Sequence, residues 1–276
     1  MGPMAAISGD TLEGVSATTL WTLHFRASEA NRPDGVIRDP LAVDLYEAIA
    51  YDYLKFGAPN QSHALRAAAF DREAKHYLQS HPKASVVALA EGLQTSFWRL
   101  QAVGCADELT WYSIDLPPVM ALRAQLLPQD DRMVPLAQSA LDHSWMDSVD
   151  QSHGVFITAE GLLMYLDPDD ALDLIRACAA RFPGGQMIFD NIPPFFSRKT
   201  LKGLKLSDRY LTPPMPFAMT REESMALADR IPRVRSARDV NYPKGRGMFK
   251  IIGWRIFDRG LLSRYRPSIT LLEFDR

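Results

Sequence analysis

Three short stretches of the chain set chemically useful side chains beside permissive backbone. The first is Ala90-Glu91-Gly92-Leu93-Gln94-Thr95, where Gly92 allows close approach of the backbone to a ligand. The second is Ile114-Asp115-Leu116-Pro117, with Asp115 placed 23 residues after Gly92. An acid at that distance, at the end of a second strand, suits two hydrogen bonds to ribose hydroxyls. Asp115 reads equally well as the N-cap of a helix that starts at Pro117. The third stretch is Glu160-Gly161, just after another apolar run. For moving a proton the chain offers His143 first, then His153, Tyr165, Asp190 and Glu160. His143 leads because an unperturbed imidazole titrates near neutrality; its bland reading is a loop histidine that caps the neighbouring helix with Ser144. Tyr165 reads also as a packed aromatic. Asp190 and Asn191 end a strand and either line a ligand pocket or cap a turn.

The elements around these residues alternate. Residues 84–89 form a short apolar, β-branched run of the kind found in buried parallel strands. Further strands are expected at 109–114, 133–136, 155–158 and 186–189, with helices at 97–103 and 117–127 and one starting at Asp167-Pro168-Asp169-Asp170. Alternation from 84 to 190 predicts an α/β fold with a mostly parallel, doubly wound sheet. In such sheets ligands bind beyond the C-terminal strand ends, where the strand order reverses, and all three stretches fall at strand ends. The first eighty residues carry helical spacing, so 1–83 is expected to be a helical cap packed on a core of 84–276. Within that core, 192–220 is rich in proline, lysine and aromatics and reads as a lid or as an exposed loop with apolar anchors. A helix is expected at 221–231 and a last strand at 268–274.

The chain has 276 residues, 47% hydrophobic and 23% charged, an ordinary globular composition. No run of eighteen apolar residues occurs, so no membrane span is expected. No signal-peptide pattern is read, Met1-Gly2-Pro3-Met4 resembles an expression remnant, and Ala6 argues against myristoylation. Cys105 and Cys178 are widely separated, which favours a reducing cytoplasm, and the six histidines lack metal-ligand spacing. Residues 1–194 hold 13 basic and 25 acidic side chains, whereas 195–276 hold 18 and 8. That polarity fits an anionic substrate, a self-complementary subunit contact, or simple neutralisation within one fold. The basic residues are scattered, so nucleic acid is not an expected partner. A homodimer is expected only from the prevalence of symmetric dimers.

Four blocks together are more specific. They are Arg26-Ala27-Ser28-Glu29-Ala30-Asn31-Arg32-Pro33-Asp34 with Asp39-Pro40-Leu41-Ala42, then 86–95, then 114–117, and then Ala159-Glu160-Gly161-Leu162-Leu163-Met164-Tyr165-Leu166. In these blocks, over roughly residues 15–190, the chain resembles the leucine carboxyl methyltransferase family, which includes polyketide O-methyltransferases. The resemblance implies a class I methyltransferase, Rossmann-like, that uses S-adenosylmethionine and releases S-adenosylhomocysteine. By position it implies that Arg66, with Arg26, holds the methionine carboxylate of the cofactor. It implies that Ala90, Glu91 and Gly92 run along the methionine moiety and that Asp115 and Leu116 meet the ribose. Ser139 and Ala140 fall at the adenine, and Glu160 beside the amino group or the reacting methyl. The chain departs from the family pattern with Ala90 for a glycine, Gln94 for an acid and Ser96 for a base. No acid aligns at 139–141, although Asp142 is close.

A sulfonium is already an activated methyl donor, so such a protein must align an acceptor oxygen, exclude water and, for an alcohol, remove one proton. His143, with Glu160 and Tyr165, is the expected catalytic set. The expected reaction is O-methylation of a hydroxyl on a saccharide or other small metabolite. Carboxyl methylation of a small molecule or peptide C-terminus is the alternative, and a non-catalytic cofactor-binding or scaffold protein is the alternative of another class. A nicotinamide dehydrogenase is disfavoured, because 90–95 lacks the glycines that admit a pyrophosphate. In the lid, Phe195, Phe196, Tyr210 and Phe217 among Lys199, Lys202, Lys205 and Arg209 suggest an aromatic floor with a cationic rim.

Overall fold

A run that is apolar on both faces has to sit in a sheet covered on both sides, and residues 85–89 are buried along their whole length. In the computed structural model, which describes residues 7–247 and 265–276, this run is strand β1 (Ser85–Leu89). It is followed by β2 (Thr110–Asp115), β3 (Met133–Ala137), β4 (Val155–Ala159), β5 (Gln186–Asn191), β6 (Val234–Asp239) and β7 (Ser268–Phe274). The strands form one sheet in the order β6-β7-β5-β4-β1-β2-β3. Strands β1 to β5 run parallel, with Val87 beside Tyr112 on one flank and Ile157 on the other. Strand β7 is antiparallel to both β5 and β6. The chain lays β2 and β3 on one side of β1, then crosses to lay β4 and β5 on the other. The crevice of a doubly wound sheet therefore opens above the C-terminal ends of β1 and β4. The expected α/β class and mostly parallel sheet are what the chain adopts.

The helices are α1 (Thr18–Ala30), α2 (Pro40–Ala48), α3 (Ser62–Ser80), α4 (Ser96–Gln101), α5 (Pro117–Leu126) and α6 (Pro168–Arg181). Period-two alternation divides the strand side chains between two faces. Val87, Leu89, Ile157 and Phe189 pack with Leu174, Ile175 and Cys178 of α6. Val86, Ala88, Trp111 and Phe156 pack with Phe70, Ala74 and Tyr77 of α3 and Phe97 of α4. A third cluster joins Leu20 and Leu23 of α1 and Leu45 of α2 to Leu93, Val119 and Leu122. The first eighty residues thus share their apolar cores with the sheet domain.

Several local expectations meet corrections. Asp167 occupies the N-cap of α6 but makes no capping hydrogen bond with its side chain. The segment 192–220 is not a plain loop: it contains α7 (Pro194–Leu201), with proline in the first turn where its missing N–H is harmless, and a hairpin of Lys205–Ser207 with Tyr210–Leu211. Residues 221–231 split into α8 (Arg221–Met225), closed by a Thr220–Glu223 capping box, and α9 (Leu227–Arg230). Strand β6 had no apolar signal, because it lies at the sheet edge and carries Arg235, Arg238 and Asp239. No described helix is long and apolar enough to cross a membrane. Among the described residues no cluster of His, Cys, Asp and Glu is arranged to hold a metal ion. The Met1–Met4 stretch lies outside the described residues.

Candidate functional site

A cavity of about 650 Å³ lies over the C-terminal ends of β1, β2, β4 and β5 and under α1 and α3. Its floor is the turn after β1. Gly92 has φ +58°, and a Cβ there would stand 2.4 Å from Thr19 Oγ1, so this position requires glycine on both counts. Ala90 takes a left-handed φ of +48° without that freedom. Thr19 Oγ1 accepts the Leu93 amide at 2.7 Å, which fixes α1 on the turn. Asp115 holds the turn from the other side: its Oδ2 accepts the Gly92 amide at 2.6 Å and its Oδ1 the Leu116 amide at 2.7 Å. The N-cap of α5 is Leu116, so Asp115 is not the cap that its place before Pro117 allowed. Burial pushes the Asp115 carboxyl up, and the two amides oppose that. An ionised carboxylate offers about four acceptor positions, so Asp115, which lines the cleft, keeps acceptor capacity for a ligand.

Two residues expected to touch a cofactor are committed elsewhere. Arg26 does not line the cleft. Its Nε pairs with Asp39 at 2.8 Å and its Nη2 donates to Leu93 O at 2.5 Å. Asp39 also receives Thr95 Oγ1 at 2.7 Å and Arg99 Nη1 at 2.8 Å, and Arg99 Nε reaches Asp71 at 2.6 Å. The Arg26 and Asp39 blocks of the sequence therefore form a buried clasp that ties α1 and α2 to the glycine turn. Glu91 lines the cleft, but its carboxylate is buried against Trp111 Nε1 at 3.1 Å, the Ser113 hydroxyl and Arg123 Nη2 at 2.8 Å. Arg123 in turn caps the turn by donating to Gly92 O and Gln94 O.

Arg66 of α3 gathers the ends of β4 and β5. Its Nε meets Glu160 Oε1 at 2.9 Å and its Nη1 meets Asp190 Oδ2 at 2.9 Å. Asp190 Oδ1 accepts the Gly161 amide at 2.6 Å. Gln94 Nε2 donates to Glu160 Oε1 at 2.7 Å. An acid at position 94 would face Glu160, whereas the amide supplies a proton, which rationalises the departure at that position. Burial pushes the Glu160 carboxyl up, Arg66 pulls it down, and Asp190 adds to the rise. Two carboxylates around one guanidinium leave this end of the cleft net negative when ionised, a fit for a cationic ligand.

The remaining predicted residues separate into those at the cleft and those away from it. Leu116, Ser139 and Ala140 line it, together with Val119, Leu141 and Leu162, as an apolar slot beside Asp115. Tyr165 lines it and is paired with Thr18; burial pushes its hydroxyl up to about 12, so the phenol keeps its proton and is unsuited to act as a base. His143 is exposed at the start of a short turn, His143–Ser148, outside the cleft wall, and Asp142 caps that turn through the Ser144 amide. His153 is exposed before the N-terminal end of β4, at the opposite edge of the sheet. Of the lid aromatics Phe195 and Phe196 reach the cleft; Tyr210 packs on Phe56, Phe217 lies in the main core, and Lys199, Lys202 and Lys205 stand off the wall. The far end of the cleft is a chamber of Trp21, Met164, Tyr165, Ile192, Phe196 and Met215.

His63 was missed in the sequence. It lies on α3 one turn before Arg66, lines the cleft, and meets Trp21 and Phe25 edge-on with ring centroids 5.2 Å away. Burial first, then the charges of Arg66 and Arg26, hold its imidazole well below the usual histidine range. Its signal was the three-residue spacing to Arg66, which puts both on one helix face.

A family model described as leucine carboxyl methyltransferase matches residues 19–179. The chain belongs to the leucine carboxyl methyltransferase family. The tetracenomycin polyketide synthesis O-methyltransferase TcmP of Streptomyces glaucescens is 30% identical to it over 227 residues, which cover 81% of this chain and 82% of TcmP. The S-adenosyl-L-methionine-dependent methyltransferase dpfgK of Gibberella zeae is 25% identical over 201 residues, covering 65% of this chain and 67% of dpfgK. A candidate methyltransferase from Thermobifida fusca superposes with a TM-score of 0.59 at 13% identity, covering 93% of this chain and 94% of that one, a likeness of fold alone. The methyltransferase family match runs from α1 into α6, so it takes in the clasp, the Gly92 turn, Asp115 and Glu160. Asp190 and the chamber residues Ile192, Phe196 and Met215 lie beyond it.

Proposed function

We propose that this methyltransferase-family chain transfers the methyl group of S-adenosylmethionine to a hydroxyl of a planar, largely apolar small molecule of aromatic polyketide type. The observation that carries the reading is the single cleft joining the Gly92–Asp115 turn to the chamber of Trp21, Met164, Ile192, Phe196 and Met215. The donor half fits the cofactor on its own residues. Asp115 has acceptor positions left for ribose hydroxyls, and Leu116, Val119, Ala140 and Leu141 offer apolar surface for adenine without an acid. The net-negative Arg66, Glu160 and Asp190 group suits an amino-acid end with its ammonium, Arg66 facing the carboxylate. When bound there, the cofactor supplies a methyl already activated on a sulfonium. The chain's own contribution is to hold both reactants in line and limit water, towards which Trp21 and the α7 residues Phe195 and Phe196 contribute apolar lining.

The aromatic and methionine wall favours a flat ring over a saccharide, whose many hydroxyls would lose water without gaining partners. The name of TcmP, a polyketide-synthesis O-methyltransferase, points the same way. Formation of a carboxyl ester is the second reading, favoured by the family's description. The test has two steps. Calorimetry with S-adenosylhomocysteine is expected to give saturable binding. Transfer of radiolabelled methyl is then measured on a trihydroxyanthraquinone, an anthraquinone carboxylic acid and a disaccharide, followed by mild alkali, which cleaves esters and spares aryl ethers. Alkali-stable label on the hydroxyanthraquinone is the expected result. Absence of S-adenosylhomocysteine binding overturns the methyltransferase reading. Label on the carboxylic acid alone replaces the hydroxyl by the carboxyl reading, and label on the disaccharide alone overturns the aromatic one.

A further inference from the structure

We propose that His63 is the residue that takes the proton from the acceptor hydroxyl during methyl transfer, an assignment that rests on the methyltransferase reading above. Among the described residues that line the cleft, the other titratable groups are engaged or unsuited. Glu160 and Asp190 are both held in ion pairs with Arg66. Asp115 is tied to two backbone amides at the opposite end, and Glu91 is buried on Arg123. Tyr165 and Tyr242 are phenols that burial keeps protonated, and Tyr265 is an exposed phenol packed edge-on against Phe195. The His63 imidazole lines the same cleft, and its contacts among the described residues are the rings of Trp21 and Phe25, which leave its nitrogens free of a described hydrogen-bond partner. Its place is also the right one. On α3 it lies one turn from Arg66, which holds the ends of β4 and β5, and its ring touches Trp21, a member of the aromatic chamber. It therefore stands where the donor half meets the acceptor half.

A lone pair of the acceptor oxygen forms the new O–C bond while the S–C bond breaks and its pair stays on sulfur. The hydroxyl proton moves to a ring nitrogen of His63 and is later released to water. One positive charge is present before and after, first on sulfur and then on the imidazolium, so the cleft does not have to create net charge in a low-dielectric space. The groups facing His63 are Arg66 on its own helix, with Glu160 and Asp190 behind it, and Trp21, Phe25 and Arg26 on α1. Burial first, then the two cations, keep the imidazole neutral and so able to accept a proton near neutral pH. A sulfonium nearby would lower its basicity further, and that added part is relieved as the methyl group leaves sulfur.

That coupling is measurable without knowing the natural acceptor. Imidazole resonances of labelled protein are titrated by NMR in the presence of S-adenosylmethionine and, separately, S-adenosylhomocysteine, with His63→Gln assigning the His63 signal. The expected midpoint for His63 is lower in the S-adenosylmethionine complex, by about one to two pH units for a unit charge within roughly 7 Å at an effective dielectric near 20. Equal midpoints in the two complexes overturn the proposal. On the trihydroxyanthraquinone, His63→Gln is expected to lower kcat by about 10²–10⁴-fold, as loss of a general base does, while S-adenosylhomocysteine binding persists. Full kcat in the variant also overturns it. Failure of the wild type to bind S-adenosylhomocysteine is a different result and removes the underlying methyltransferase reading.

Discussion

The arginine at the centre of the cleft offers the sharpest energetic test. Arg66 is 8% exposed, and the Glu160 and Asp190 side chains that it bridges are each 7% exposed. Arg66→Met keeps a long apolar stem but leaves two buried carboxylates facing the place of a lost cation. Removing one partner of a buried ion pair destabilises by about 3–5 kcal/mol. At roughly 2–4 °C per kcal/mol for a domain near this size, the melting temperature should fall by about 6–20 °C. The loss should depend on pH with a definite sign. Burial, opposed by Arg66, already raises the Glu160 carboxyl in the folded protein. A raised acid binds its proton more tightly folded than unfolded, so its contribution to stability falls as pH rises above the unfolded value and returns as pH falls. Without Arg66 that rise is larger. The gap between wild type and variant should therefore be widest near pH 8 and narrow towards pH 5. One proton changes stability by at most about 1.4 kcal/mol per pH unit, so two units within that window should recover up to about 2.7 kcal/mol, half the deficit or more. Thermal melts of both proteins from pH 5 to 8 measure it. A gap that stays constant, or widens on acidification, refutes the claim that the lost interaction is charge compensation of Glu160 and Asp190.

Two further substitutions separate binding from scaffolding at the glycine turn. Asp115→Ala leaves the Gly92 and Leu116 amides without their acceptor, at about 1–3 kcal/mol each where they stay dry. The variant should melt lower but remain folded, and calorimetry should show S-adenosylhomocysteine binding lost or weakened by one to two orders of magnitude, since hydrogen bonds to charged groups are worth about 1.5–3 kcal/mol; undiminished affinity would rule out Asp115 as the ribose anchor. Gly92→Ala adds a Cβ at φ +58° and 2.4 Å from Thr19 Oγ1. Left-handed strain of about 1–2 kcal/mol and overpacking of about 1–3 kcal/mol should loosen α1, seen as faster amide exchange at Leu93; unchanged exchange and an unchanged melting temperature would show that the turn tolerates a side chain.

What the sequence determined by itself was everything carried by local pattern. Apolar runs broken by turn residues fixed the strands β1 to β5 and their parallel order of layers, because burial on both faces leaves a one-dimensional trace. Spacing put Gly92, Asp115, Glu160 and Asp190 at strand ends, and strand ends of such a sheet converge on one crevice whatever the side-chain details. Edge strand β6 left no such trace, since its solvent side is charged. Only the tertiary structure decided which polar side chains are committed to internal partners and which stay open to the cleft. Arg26 lies off the cleft and Glu91 on its wall, yet the charges of both are neutralised inside the protein, by Asp39 and by Arg123. His143 follows a strand on the expected rim, but its turn carries it out to solvent. Arg66 meets Glu160 and Asp190 across 94 and 124 residues, and His63 reaches the cleft only because α3 is laid across the sheet. Those pairings depend on side-chain direction and on contacts between distant segments, and neither is encoded in the spacing of residues along the chain.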